Sequence, residues 1–200
     1  MRFKSLRSFI SAEGGVAAIE IAFILPFMFF MFFGLVDITD MVSYNRRITA
    51  VASSVGDLVG QNRTYVLKSS IDDYLKAAKL IMKPKSDSDI RVVIYGFRGT
   101  KVAGVTTVTQ EWKIDNGKGT ACSTTPTTTN VPVTLMEAGN DLIVTQACMK
   151  YKPLVADFLG TSILGSSLLK IEQTITLRPR SSLTLDCYLT SPTSGTCPKT

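Results

Sequence analysis

Residues Val16 to Val36 read VAAIEIAFILPFMFFMFFGLV, and this stretch decides the class of the protein. As a helix rising 1.5 Å per residue it extends about 30 Å, the thickness of a bilayer's hydrocarbon core. Glu20 is its one charged residue. Pro26 and Gly34 break soluble helices but are tolerated in membrane spans, where local adjustment and neighbouring helices satisfy the freed backbone groups. Arg2, Lys4 and Arg7 precede the block while Asp37 and Asp40 follow it, so the positive-inside rule predicts a cytoplasmic N-terminus and a single pass. A cleaved signal peptide fits poorly. The apolar run is too long, and the nearest A-x-A triplet, Ala50-Val51-Ala52, lies beyond Arg46 and Arg47. A buried core helix of this length and uniformity is unusual in so small a chain.

Outward from the block, the rest is an ordinary polar chain rich in Thr and Ser. The 45% hydrophobic content of the 200 residues is concentrated near the start. The predicted partition is a basic cytoplasmic leader over 1–15, a transmembrane helix over 16–36 and one extracytoplasmic domain over 37–200, a length that suits a single core. The net charge of +6 invites a nucleic-acid reading, but no Lys/Arg run or basic-aromatic motif carries it, and no nucleic-acid partner is expected.

The helical period continues past the block through Ile38, Met41, Val42, Ile48, Val51, Ala52, Val55, Leu58 and Val59, with Gly60 as a stop. The span therefore runs on as one long helix that lies on a domain. A second helix is predicted over Ile71 to Met82, started by Ser70 and Asp73 in an S-x-x-D pattern and stopped by Pro84. Strands are predicted at Arg91 to Phe97, at Val102 to Ile114 before an Asn116-Gly117 turn, at Leu142 to Tyr151, and at Leu169 to Leu177, where apolar and polar residues alternate. Cys122 to Pro132 reads as an exposed Thr/Pro-rich loop, and Val155 to Ser167 as a short helix or wide connection. The fold class is α+β: a long N-terminal membrane-spanning helix continuing onto an antiparallel sheet.

Cys122, Cys148, Cys187 and Cys197 all follow the span, on the side where the topology puts an oxidising compartment. None forms C-x-x-C and the chain has no histidine, so two disulfides are expected rather than a metal site. Nearest-neighbour pairing, Cys122 with Cys148 and Cys187 with Cys197, is predicted. Loop entropy gives these about 3.5 and about 2.8 kcal/mol as upper values. The missing histidine also removes Ser-His-Asp and Cys-His nucleophiles. Ser167-Leu168-Leu169-Lys170 matches S-x-x-K but lacks the companion S-D-N and K-T-G elements. Asn62-Arg63-Thr64 fits a glycosylation sequon and reads as a plain loop. With no phosphate-binding loop or dinucleotide fingerprint, no cofactor and no enzymatic activity are expected.

The string Glu13-Gly14-Gly15-Val16-Ala17-Ala18-Ile19-Glu20, followed by Ile21-Ala22-Phe23-Ile24-Leu25-Pro26, resembles the TadE-like family of the tight-adherence (Flp-type) pilus machinery. Gly15 and Glu20 also meet the wider prepilin pattern of a leader glycine followed five residues later by glutamate. The resemblance is densest over roughly the first 60 residues and extends more weakly to Tyr151-Lys152-Pro153-Leu154 and to a last strand ending at Arg178. It departs at Ile21, where phenylalanine is common. It implies a type IV pilin-like fold in a bacterial inner membrane, cutting by a prepilin peptidase, and assembly with other pilin-like and pilus assembly proteins through Glu20. The cut after Gly14 or Gly15 is open by pattern; spacing to Glu20 favours Gly15, leaving Val16 first. The rival is a membrane-tethered extracytoplasmic enzyme or ligand-binding domain, for which Val16 to Val36 is only an anchor.

Overall fold

A computed structural model describes residues 14–83, 90–102, 105–136, 139–154 and 169–199. Helix α1 runs unbroken over Gly14–Gly60. There follow β1 (Tyr65–Leu67), α2 (Lys68–Met82), β2 (Ile90–Val102), β3 (Val105–Asp115), β4 (Asp141–Tyr151), β5 (Leu169–Leu177) and β6 (Asp186–Tyr188). Two units divide the chain: Met1–Asp40 with Pro153–Ser167, and Met41–Lys152 with Leu168–Thr200.

Within the first unit, α1 is built from Ala, Ile, Leu, Phe and Met, and Pro26 stands inside it. The proline lacks an N–H, so the carbonyl of Ala22, four residues earlier, loses its helical donor. Near the end of this stretch the Asp37 carboxylate, 8% exposed, accepts the backbone N–H of Leu154 at 2.7 Å.

The second unit is organised by an antiparallel sheet of order β3-β2-β4-β5. Ile48, Val51, Ala52, Val55 and Val59 of α1 are buried against one face with Ile94, Ile143, Ala147 and Met149. Their spacing of three and four residues sets one stripe of the helix on the sheet, as the sequence period requires. Gly56 permits the close approach, since a Cβ there would sit 2.8 Å from Leu177 Cδ1 and 2.9 Å from Thr145 Oγ1. At the helix end the Asn62 side-chain amide donates to the carbonyls of Leu58 and Val59, both at 3.0 Å, so the sequon asparagine serves as a helix cap.

Helix α2 begins at Lys68, three residues before the predicted start. The S-x-x-D pattern does not cap it. Leu67 occupies the N-cap position in extended conformation with no side-chain cap, because β1 feeds the helix directly and places Ser70 inside the first turn. Ile71, Leu75, Ala78 and Met82 form its buried stripe.

The Asn116-Gly117 pair does not close a hairpin between strands. β2 and β3 are themselves the hairpin, and Asn116 ends it by folding back onto β2. Its Oδ1 accepts from Val92 N at 3.2 Å and its Nδ2 donates to Ile90 O at 3.0 Å, while Gly117 takes a φ of 63°. The long segment that follows is also more than an exposed loop: Val131 and Met136 are buried over Val93, Tyr95, Phe97, Leu142 and Val144 on the sheet's second face. An apolar face of this size requires a cover, and the loop supplies it. The predicted Val155 to Ser167 connection lies outside the described residues.

Two elements escaped the sequence reading. β1 and β6 pair in parallel over three residues each, too short for any periodic signal. The C-terminal tail then runs along the outer edge of β3, where Lys113 N–H donates to Pro198 O at 2.8 Å. Covering an edge in this way blocks pairing with other chains.

Gly96 faces Trp112 across the β2–β3 ladder, and a Cβ at Gly96 would fall 2.2 Å from the indole Cε2. The indole cannot retreat, because its Nε1 donates to Leu185 O at 2.9 Å in the core. Gly96→Ala should therefore destabilise the domain by about 1–3 kcal/mol through overpacking, read as a lower thermal midpoint by circular dichroism. An unchanged midpoint would contradict this packing.

Candidate functional site

The first half of α1 differs from the second in having no covered side. Ile19, Ile21, Phe23, Phe27 and Met31 are all exposed, Phe23 at 79%, and they point around the whole helix. Aromatic rings contact one another along the helix, Phe29 with Phe33 at 6.2 Å between centroids and Phe32 with Phe33 at 5.7 Å. Apolar surface so extensive is costly in water and marks contact with lipid or with other helices. Among the described residues this is the one helix long and apolar enough to cross a membrane.

Gly15, Val16 and Glu20 lie on the first turns of this helix. Gly15 is exposed, and a Cβ there would meet nothing within 4 Å. Glu20 is exposed as well. Gly15 and Glu20 are therefore open to a partner, and among the described residues no packing contact demands glycine at 15. The basic leader residues Arg2, Lys4 and Arg7 lie outside the described residues. Sequence reading treated Asp37 only as a boundary charge; its bond to Leu154 joins two segments far apart in sequence, which no local pattern could announce.

The four cysteines are all oxidised. Cys122 joins Cys148 and Cys187 joins Cys197, with Cα separations of 5.5 and 5.3 Å. The first pins the Thr-rich loop to β4. Beside it the Glu172 carboxylate on β5 accepts the Ser123 N–H at 2.6 Å, the Thr124 N–H at 3.3 Å and the Thr124 hydroxyl, while Gln146 Nε2 donates to Thr124 O at 2.6 Å. Burial acts to raise the pKa of Glu172, but these hydrogen bonds outweigh it and hold the carboxyl below its ordinary value.

A second polar group ties the sheets together. Arg98 on β2 forks onto both oxygens of Asp141 on β4 at 2.8 Å and reaches Asp186 on β6 at 2.9 Å. Asp141, 3% exposed, also accepts the Leu185 N–H at 2.7 Å. The hydrogen bond to Asp141 raises the Arg98 pKa further above its already high value, so the guanidinium stays charged. This cluster, anchored on the buried Asp141, has the engaged character of structure, and sequence reading missed it because its three members come from three strands.

Neither cluster presents a free nucleophile beside a base. Among the described residues no group of three or more His, Cys, Asp or Glu side chains is placed to hold a metal. Of the S-x-x-K pattern, Ser167 lies outside the described residues, and Lys170 is exposed on β5 opposite Lys150.

The geometry defines a class: an α+β protein with one exposed apolar helix at its N-terminus, continuous with an amphipathic stretch that covers an antiparallel sheet. Residues 15–56 match the family model of the TadE-like proteins, the family that the Gly15-to-Pro26 pattern resembles. The match takes in the apolar block and the sheet-covering stripe and stops before the sheet begins. No curated protein and no solved structure matches the chain.

The Glu172 clasp makes the loop sensitive to acid. Its folded pKa is lowered, so the stabilisation is complete above the ordinary carboxyl value near 4.5 and is lost as pH falls through the folded value. Amide exchange at Ser123 and Thr124, corrected for intrinsic rates, should quicken as pH falls through the lowered folded value, and Glu172→Gln should abolish that step. Protection that persists unchanged to about pH 2 would refute the clasp.

Proposed function

We propose that this chain is a minor pilin-like (pseudopilin) component of tight-adherence pilus assembly. It is held in a bacterial inner membrane by Val16 to Val36, with the leader in the cytoplasm and the sheet domain in the periplasm or the pilus. A prepilin peptidase cuts after Gly15, and the mature chain acts without catalysis, by packing its helix against other pilin-like and pilus assembly proteins. The observation that carries this reading is a coincidence: the TadE-like match begins at Gly15, on the very helix whose apolar side chains from Ile19 to Leu35 stand exposed.

The two residues have separable chemistry. A peptidase that reaches the backbone at the membrane face needs a residue without a side chain next to the scissile bond, and Gly15 offers open space around its Cα. Glu20 lies five residues on, where a carboxylate at the membrane boundary is poorly solvated and gains from a nearby cation. The new α-amine of Val16, on the same chain or on a neighbour, is such a cation.

Gly15→Val should leave the leader attached. Glu20→Ala should permit cutting but impair association with partner pilins, and Glu20→Asp should be milder because it keeps the charge on a shorter stem. Mass spectrometry of the N-terminus reads the first step, and co-purification with pilus assembly proteins reads the second. Normal processing in Gly15→Val together with normal association in Glu20→Ala would reduce the helix to a plain anchor and return the case to the tethered enzyme or ligand-binding domain.

A further inference from the structure

The loop after β3 carries more hydroxyl groups than its fold uses. Six of the eight positions from Ser123 to Asn130 bear one: Ser123, Thr124, Thr125, Thr127, Thr128 and Thr129. All six residues are exposed. Turn chemistry does not account for them, because turns favour Gly, Asn, Asp and Pro, while the branched side chain of threonine suits strands. A loop kept only for its solvation draws on charged residues as well, and Gly119 to Leu135 has none.

The hydroxyl residues divide by what engages them. Ser123 and Thr124 are held by Glu172, and the Thr124 carbonyl also accepts Gln146 Nε2 at 2.6 Å. The Thr127 and Thr129 hydroxyls share a hydrogen bond of 2.9 Å. The hydroxyls of Thr125 and Thr128 have no partner among the described residues.

These two side chains stand on a segment secured at both ends. The Cys122–Cys148 bond and Thr124 hold its start, and the buried Val131 holds its end. Between them the Thr127 carbonyl accepts the Asn130 N–H at 3.0 Å and the Val131 N–H at 3.3 Å. Pro126 biases Thr125 toward extended backbone, the form in which a side chain stands clear for an enzyme's cleft.

We propose that this loop is an O-glycosylation site, with Thr125 and Thr128 as the acceptors. A dense run of threonine and serine with proline is the composition of O-glycosylated segments, and here the fold adds fixed presentation of two free hydroxyls. The co-substrate is a sugar activated by a phosphate leaving group. The threonine Oγ attacks the anomeric carbon, and the new Oγ–C1 bond forms as the bond from C1 to the phosphate oxygen breaks. The phosphate leaves with the electron pair, and a base of the transferase takes the hydroxyl proton. The proposal takes from the proposed function only the placement of the sheet domain beyond the membrane. A sugar at either position shields from proteases the loop that covers the sheet's second face.

The full chain purified from its own bacterium tests this. After reduction, trypsin gives one peptide that contains the whole loop, Gly119 to Lys150. Electron-transfer dissociation should place whole-sugar mass increments on Thr125 and Thr128, and β-elimination in mild base should remove them. The double variant Thr125→Val, Thr128→Val alters two exposed positions and should lose the increments while both disulfides still form. In spheroplasts, a membrane-impermeant amine reagent should label Lys118, which is exposed beside the loop. A labelled Lys118 with bare threonines overturns the proposal alone, as do phosphate increments in place of sugars or sugars confined to Thr124, Thr127 and Thr129. A Lys118 that is shielded in spheroplasts and labelled only after lysis overturns the placement of the domain and the proposal with it.

Discussion

Strand β4 is buried over its length from Asp141 to Met149, and the rest of the domain is arranged around that constraint. A strand with apolar side chains on both faces needs two covers. One face receives the stripe of α1 from Ile48 to Val59, and the other receives the loop that brings Val131 and Met136. The disulfide at Cys148, the Gln146 amide and the Asp141 carboxylate all sit on this same strand, so covalent, hydrogen-bonded and ionic ties converge on it.

The two covers are held by different physics. The helix is held chiefly by apolar contact, because Gly56 lets it approach until the side chains of Thr145 and Leu177 touch its backbone surface. The Thr-rich loop has few apolar residues to hold it down. It is fixed instead by the Cys122–Cys148 bond and by Glu172, whose carboxylate satisfies backbone donors that a loop leaves open. A loop secured by a disulfide suits an oxidising compartment.

Helix α1 changes character along its length. Its first half shows apolar residues on every side, and its second half buries a single stripe. The TadE-like match spans both halves of the helix. Function, on the reading proposed, belongs to the first half, and the sheet unit stabilises and presents it.

The sequence by itself determined everything governed by local period. The apolar block, its continuation to Gly60 and the strands at Leu142 to Tyr151 and Leu169 to Leu177 were legible because helix and strand repeats are written residue by residue. Composition and nearest-neighbour spacing also sufficed for the two disulfides. What the tertiary structure alone decided is non-local. The β1–β6 pair, the tail along β3, the Arg98–Asp141–Asp186 cluster, the Asp37–Leu154 bond and the Glu172 clasp join residues tens of positions apart. Local signals also misled where context overrode them: Ser70 resembled a cap until β1 delivered the chain to the helix at Leu67, and Asn116-Gly117 resembled a hairpin turn until Asn116 folded back on β2. A cap or a turn motif states what a segment can do; the chain's arrival and departure, fixed by packing elsewhere, settle which option it takes.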